Sequence, residues 1–91
     1  MGRASVRTYF EAYERYSQGY MDLPSAWRKH EIRLDTVLSL TPEEMGKLES
    51  DLEALLEAWT KRAAAAEGRA PSERDDRRQV LIALLGFPWQ P

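Results

Sequence analysis

The chain has no cysteine and a single histidine, His30, among 91 residues. Without cysteine there is no disulfide framework, no thiolate metal site and no cysteine nucleophile. Unbroken apolar sequence is also scarce. The longest run, Val80 to Phe87 with Gly86 inside it, is eight residues, whereas a bilayer-spanning helix needs about 20. The N-terminus lacks the apolar core of a secretory signal, since polar and charged residues interrupt it from Arg3 onward. The expectation is a soluble, cytoplasmic chain that does not engage a membrane. Charge of one sign is lacking too. Thirteen basic residues stand against fifteen acidic, a net charge of -2, without the clustered Lys and Arg that bind phosphate backbones. Large apolar side chains are few as well. The apolar class is 43% of the chain, but eleven of its members are alanine. A domain this short buries roughly 60–65% of its unfolded surface, a narrow margin.

What is present is patterned. Val6, Tyr9, Phe10, Tyr13, Tyr16 and Tyr20 recur at three- and four-residue steps, with Arg7, Glu11, Glu14, Arg15 and Gln18 on the other side. This predicts an amphipathic helix over 3–20, stopped by Gly19 and by Leu23-Pro24. All four tyrosines lie on its one stripe. From Glu31 to Leu40 the period becomes two. Ile32, Leu34, Thr36, Leu38 and Leu40 share an inward face, and Glu31, Arg33, Asp35, Val37 and Ser39 an outward one. That predicts a strand over 31–40, after an irregular stretch or short turn carrying Trp27.

Thr41-Pro42-Glu43-Glu44 carries the clearest local signal. Thr41 can cap, Pro42 needs no donor at the first helical position, and Glu44 completes a capping box. The helix it opens is predicted over 42–67, with Gly68 as a left-handed C-cap and i,i+4 pairs Glu43–Lys47 and Glu57–Lys61. Met45, Leu48, Leu52, Leu55 and Trp59 are spaced 3-4-3-4, the seam of a coiled-coil-like contact. Trp59 is therefore expected to be buried against the sheet or a second subunit. Glu49, Glu53 and Glu57 form a solvated acidic row. A polar loop over 68–76 precedes a second expected strand over 77–87, in which Val80 to Leu85 leave no polar face, so both Leu81 and Ile82 should be covered in the assembled state.

The expected fold class is thus α+β: one small domain over 1–91, ordered helix, strand, long helix, strand. Two strands make a poor sheet, and a strand apolar on both faces outruns what one helix layer can cover. Completion by dimerisation is the economical solution, with pairing direction left open. Chemistry is thin. His30 sits in a charged segment without a nucleophile elbow, no glycine-rich loop precedes a helix, and no ligand spacing supports a metal. The expectation is no enzyme, no cofactor and no direct nucleic-acid contact.

Leu38-Ser39-Leu40-Thr41-Pro42-Glu43-Glu44, the helix bearing Leu48, Leu52, Leu55, Leu56 and Trp59, and the close Arg78-Gln79-Val80-Leu81-Ile82-Ala83-Leu84-Leu85-Gly86-Phe87-Pro88 together carry a resemblance. In this order they resemble the C-terminal half of ArsR-like winged-helix transcriptional regulators common in actinobacteria. The resemblance covers nearly the whole chain, and the winged helix itself is absent from these residues. What it implies is dimerisation and effector sensing, with DNA contact left to a winged-helix domain of a longer parent chain. The cysteines of metal-sensing members are missing, which argues against a metal effector. Two other readings stay open. The chain could be a stand-alone interaction protein using the Met45–Trp59 seam as helix-in-groove anchors, or a binder of a small aromatic ligand. Tyr9, Phe10, Tyr13, Tyr16 and Tyr20, with Met45, Leu48, Leu52, Leu55 and Trp59, are the candidate interface or ligand residues.

Overall fold

A computed structural model describes residues 5–68 and 77–90. The described elements are helical: α1 (Val6–Gln18), a 3-10 turn (Tyr20–Asp22), α2 (Ser25–Arg28) and α3 (Pro42–Glu67). The chain divides into two units, Met1–Asp35 with Leu81–Pro91, and Thr36–Val80.

In the first unit, α1 starts where Ser5 turns its hydroxyl back to accept from the Thr8 amide at 3.3 Å, the N-cap bond that satisfies an orphan donor. The helix expected over 3–20 is shorter at both ends. Arg3 and Ala4 lie outside the described residues. At the other end Gly19 closes the last turn on the Arg15 carbonyl at 3.1 Å, and Tyr20–Asp22 tighten into a 3-10 turn. Such a turn is a frequent way to finish a helix. Pro24 then enters the single turn of α2, which carries Trp27.

In the second unit, α3 has the bounds that its end signals mark. Thr41 accepts from the Glu44 amide at 3.1 Å, and Glu44 accepts from the Thr41 amide at 2.9 Å, so the capping box is complete. The far end differs from expectation. Gly68 has φ -73° and continues the right-handed turn, with its amide on the Ala64 carbonyl at 3.2 Å. No described glycine adopts a positive φ, so the left-handed cap is corrected to a simple run-out. Glu57–Lys61 pairs at 3.3 Å as expected from spacing. Lys47, however, pairs forward with Asp51 at 2.7 Å, and that pair replaces Glu43–Lys47.

The α+β expectation is overturned. Residues 30–40 and 77–90 carry no regular secondary structure, and no strand occurs among the described residues. Alternation of apolar and polar residues reports which face would be covered, but a strand exists only when its amides and carbonyls meet another backbone. Neither segment has that neighbour. The supposed inward residues of 31–40 are open, with Ile32 68% and Leu34 90% exposed. In 77–87 Leu81 is 60% and Ile82 45% exposed, so the two-sided cover expected in the assembled state is not supplied by the single chain. Gly68 is described, whereas residues 69–76 of the expected polar loop lie outside the described residues. Among the described residues only Ala66 is buried.

Candidate functional site: a tyrosine ladder and an open helical seam

Three of the four tyrosine hydroxyls of α1 and the 3-10 turn after it find partners at the end of α2 and along the segment that follows it. Tyr20 donates to the Arg28 carbonyl at 3.2 Å. Tyr16 donates to Glu31 Oε1 at 2.8 Å. Arg33 donates from a terminal guanidinium nitrogen to the Tyr13 hydroxyl at 2.8 Å, while its Nε lies 3.2 Å from Glu31 Oε2. Tyr13, Arg33, Glu31 and Tyr16 therefore form one hydrogen-bonded chain that lays residues 28–33 back along the helix. The rings stack in sequence as well. Tyr13 and Tyr16 have centroids 5.7 Å apart with a tilt of 45°, and Tyr16 meets Tyr20 edge-on at 6.1 Å, the geometries aromatic quadrupoles favour.

The electrostatics follow from these bonds. Donation to the Glu31 carboxylate, with burial and the carboxylate's charge behind it, raises the Tyr16 hydroxyl above its ordinary pKa of 10.0. Arg33 is raised above its ordinary value by its bond to Tyr13, with the charges of Tyr13 and Glu31 adding to it. On α3, Lys47 is raised by its bond to Asp51.

This ladder inverts the expected faces of 31–40. Glu31 and Arg33, read as outward and solvated, are the residues that engage α1, and Ile32 and Leu34 point to solvent. The physical reason lies in the tyrosines. A stripe of phenols must find partners for its hydroxyls, and charged side chains supply them where aliphatic ones cannot. Phe10 departs from the stripe. It lies about 100° from Tyr9 around the helix, is 64% exposed, and joins Arg7, Glu11 and Glu14 around a shallow depression. Tyr9 is half-buried and Tyr13 exposed.

The α3 residues form a second, separate face. Met45, Leu48, Leu52, Leu55 and Trp59 do share one stripe, and Leu56 adjoins it. Leu48 and Leu56 are half-buried, whereas Met45, Leu52, Leu55 and Trp59 are exposed. Within the single chain, where no sheet is formed among the described residues to cover it, Trp59 is 54% exposed and carries the Arg62 guanidinium over its ring at 4.2 Å. This seam is therefore partly open. Glu49, Glu53 and Glu57 flank it on one side, all exposed.

Sequence reasoning missed Glu31, Arg33 and the Arg28 carbonyl as partners of the tyrosines, and Arg62 as the partner of Trp59. The first group could have been found by asking which nearby residues satisfy four phenols at once. The second follows from the three-residue spacing of Trp59 and Arg62 on one helix face. His30 is exposed, and among the described residues no three His, Asp or Glu side chains gather as a metal site. Among those residues no helix is long and apolar enough to cross a membrane. No family model, no curated protein and no solved structure matches this chain.

Proposed function

We propose that this chain is a non-catalytic dimerisation module of a cytoplasmic transcriptional regulator, serving the role that the C-terminal half plays in ArsR-like winged-helix repressors. The observation that carries the reading is the open α3 seam, in which Met45, Leu52, Leu55 and Trp59 are all exposed. Charge-depleted apolar faces of this kind mark protein interfaces. Two-fold DNA readers need such a module, because each half-site is bound by one subunit. The tyrosine ladder fits the same role. With the Tyr13, Tyr16 and Tyr20 hydroxyls engaged by residues 28–33, the stripe stiffens the head of the chain.

A reporter tests this reading. The chain is fused to a DNA-binding domain that represses only as a dimer, in place of that domain's own dimerisation region. Repression should be restored by the native chain and lost with Leu52→Lys, which sets a charge in the seam. No repression from the native fusion, at expression equal to a dimeric control, would contradict the proposal.

A further inference from the structure

Which surface covers the seam can be argued from charge. Pairing α3 against α3 of a second copy would bring its acidic margins together. Glu44 and Glu49 occupy positions beside the seam, so a parallel pair sets Glu44 of one copy against Glu49 of the other, which costs stability. The closing segment has the opposite character. From Gln79 to Gln90 it contains no charged residue, and it is led by Arg77 and Arg78. Val80, Leu81, Ile82, Leu84, Leu85, Phe87 and Trp89 on it are all exposed. Among the described residues no cation pairs with Glu49 or Glu53.

We propose that two copies of this chain associate by exchange, the segment Val80–Phe87 of each lying in extended form on the Met45–Trp59 seam of the other. This rests on the dimerisation reading and names the surfaces that make the dimer. The lengths agree. Fourteen helical steps from Met45 to Trp59 span about 21 Å, and seven extended steps from Val80 to Phe87 span about 23 Å. The charges set the direction. Arg77 and Arg78 belong beside Glu44 and Glu49 at the start of α3, and away from Lys61 and Arg62 at its end. Phe87 then reaches Trp59. The areas agree as well. Seven large apolar side chains, four on the seam and three on one face of Val80–Phe87, are exposed, each leaving on the order of 90 Å² open. That gives roughly 630 Å² per copy and about 1,300 Å² for a two-fold pair, within the range of specific, stable interfaces.

The absence of cysteine makes the test clean. Leu52→Cys is placed in one preparation and Leu84→Cys in a second that carries a mass tag. The two are mixed and bridged with a short bis-maleimide, and the products are identified by mass. The expected product joins tagged Leu84→Cys to untagged Leu52→Cys. Products joining only like to like, with the dimer intact, would overturn the exchange and leave dimerisation standing. A doubly substituted chain that bridges within itself and sediments as a monomer would overturn both. Surface charges give an independent arm that spares the apolar contacts. Arg77→Glu with Arg78→Glu should raise the dimer Kd about tenfold, and mixing with Glu49→Lys/Glu53→Lys chains should recover it. No weakening, or weakening without recovery, would contradict the arrangement.

Discussion

Trp59→Ala separates a covered seam from an open one, because the two give different numbers in different assays. Trp59 retains 54% of its surface in the single chain. With up to about 250 Å² on a tryptophan, roughly 130 Å² remains for a partner to cover. At about 25 cal/mol per Å² that is about 3 kcal/mol per copy, and about 6 for the two copies in a symmetric dimer. Part of that gain is offset by ordering the surfaces that meet. If half survives, the loss is about 3 kcal/mol and the dimer Kd rises roughly 150-fold. Suppose instead that Trp59 stays open with Arg62 over its ring. The substitution then removes only an exposed cation–π contact, about 0.5–1 kcal/mol, felt in the helix of each chain and not in association. Sedimentation velocity over a dilution series measures Kd, with Trp59→Phe as the conservative control that keeps most of the apolar area. A Kd unchanged within about threefold for Trp59→Ala would refute the reasoning.

Thr41→Ala removes one half of the capping box, whose two bonds are 3.1 and 2.9 Å. Stability should fall by about 1 kcal/mol, seen as a melting temperature lower by roughly 4–8 °C; an unchanged melt would show that α3 does not depend on its cap. Glu31→Gln should bring the Tyr16 hydroxyl back toward its ordinary value in an ultraviolet titration of the tyrosines, while the wild type shows one phenol titrating late. The linkage has a defined sign. A folded pKa above the ordinary 10.0 gives a contribution to stability that is fully present below about pH 10 and lost as pH rises through the raised value. Equal titration of all four tyrosines in the wild type would remove the Tyr16–Glu31 bond from the account.

The parts of the fold legible in the sequence are those whose causes are local. Thr41, Pro42 and Glu44 satisfy the first turn of α3 among themselves, so the helix start needs nothing from elsewhere in the chain. The stripe of α1 is legible for the same reason, since three- and four-residue spacing is a property of one helix. The two expected strands were misread because their signal concerns a relation. Alternation over 31–40 identifies two faces, but a ladder requires a second backbone, and none is at hand among the described residues. The inverted faces have a related cause. Ile32 and Leu34 look inward by hydropathy, yet the nearest surface is a row of phenols whose hydroxyls take Glu31 and Arg33. The candidate site was half legible. The seam residues share a stripe as their spacing requires, whereas Phe10 falls off the tyrosine stripe by about 100° of helix rotation. The ladder's charged partners were hidden by the assumption that charges face water.

Sedimentation equilibrium of the 91-residue chain at micromolar concentration tests the central claim most directly. The account predicts a mass of twice 10.5 kDa that falls toward the single-chain value on dilution and on Leu52→Lys substitution. A single 10.5 kDa species across the whole range, melting cooperatively on its own, would contradict it.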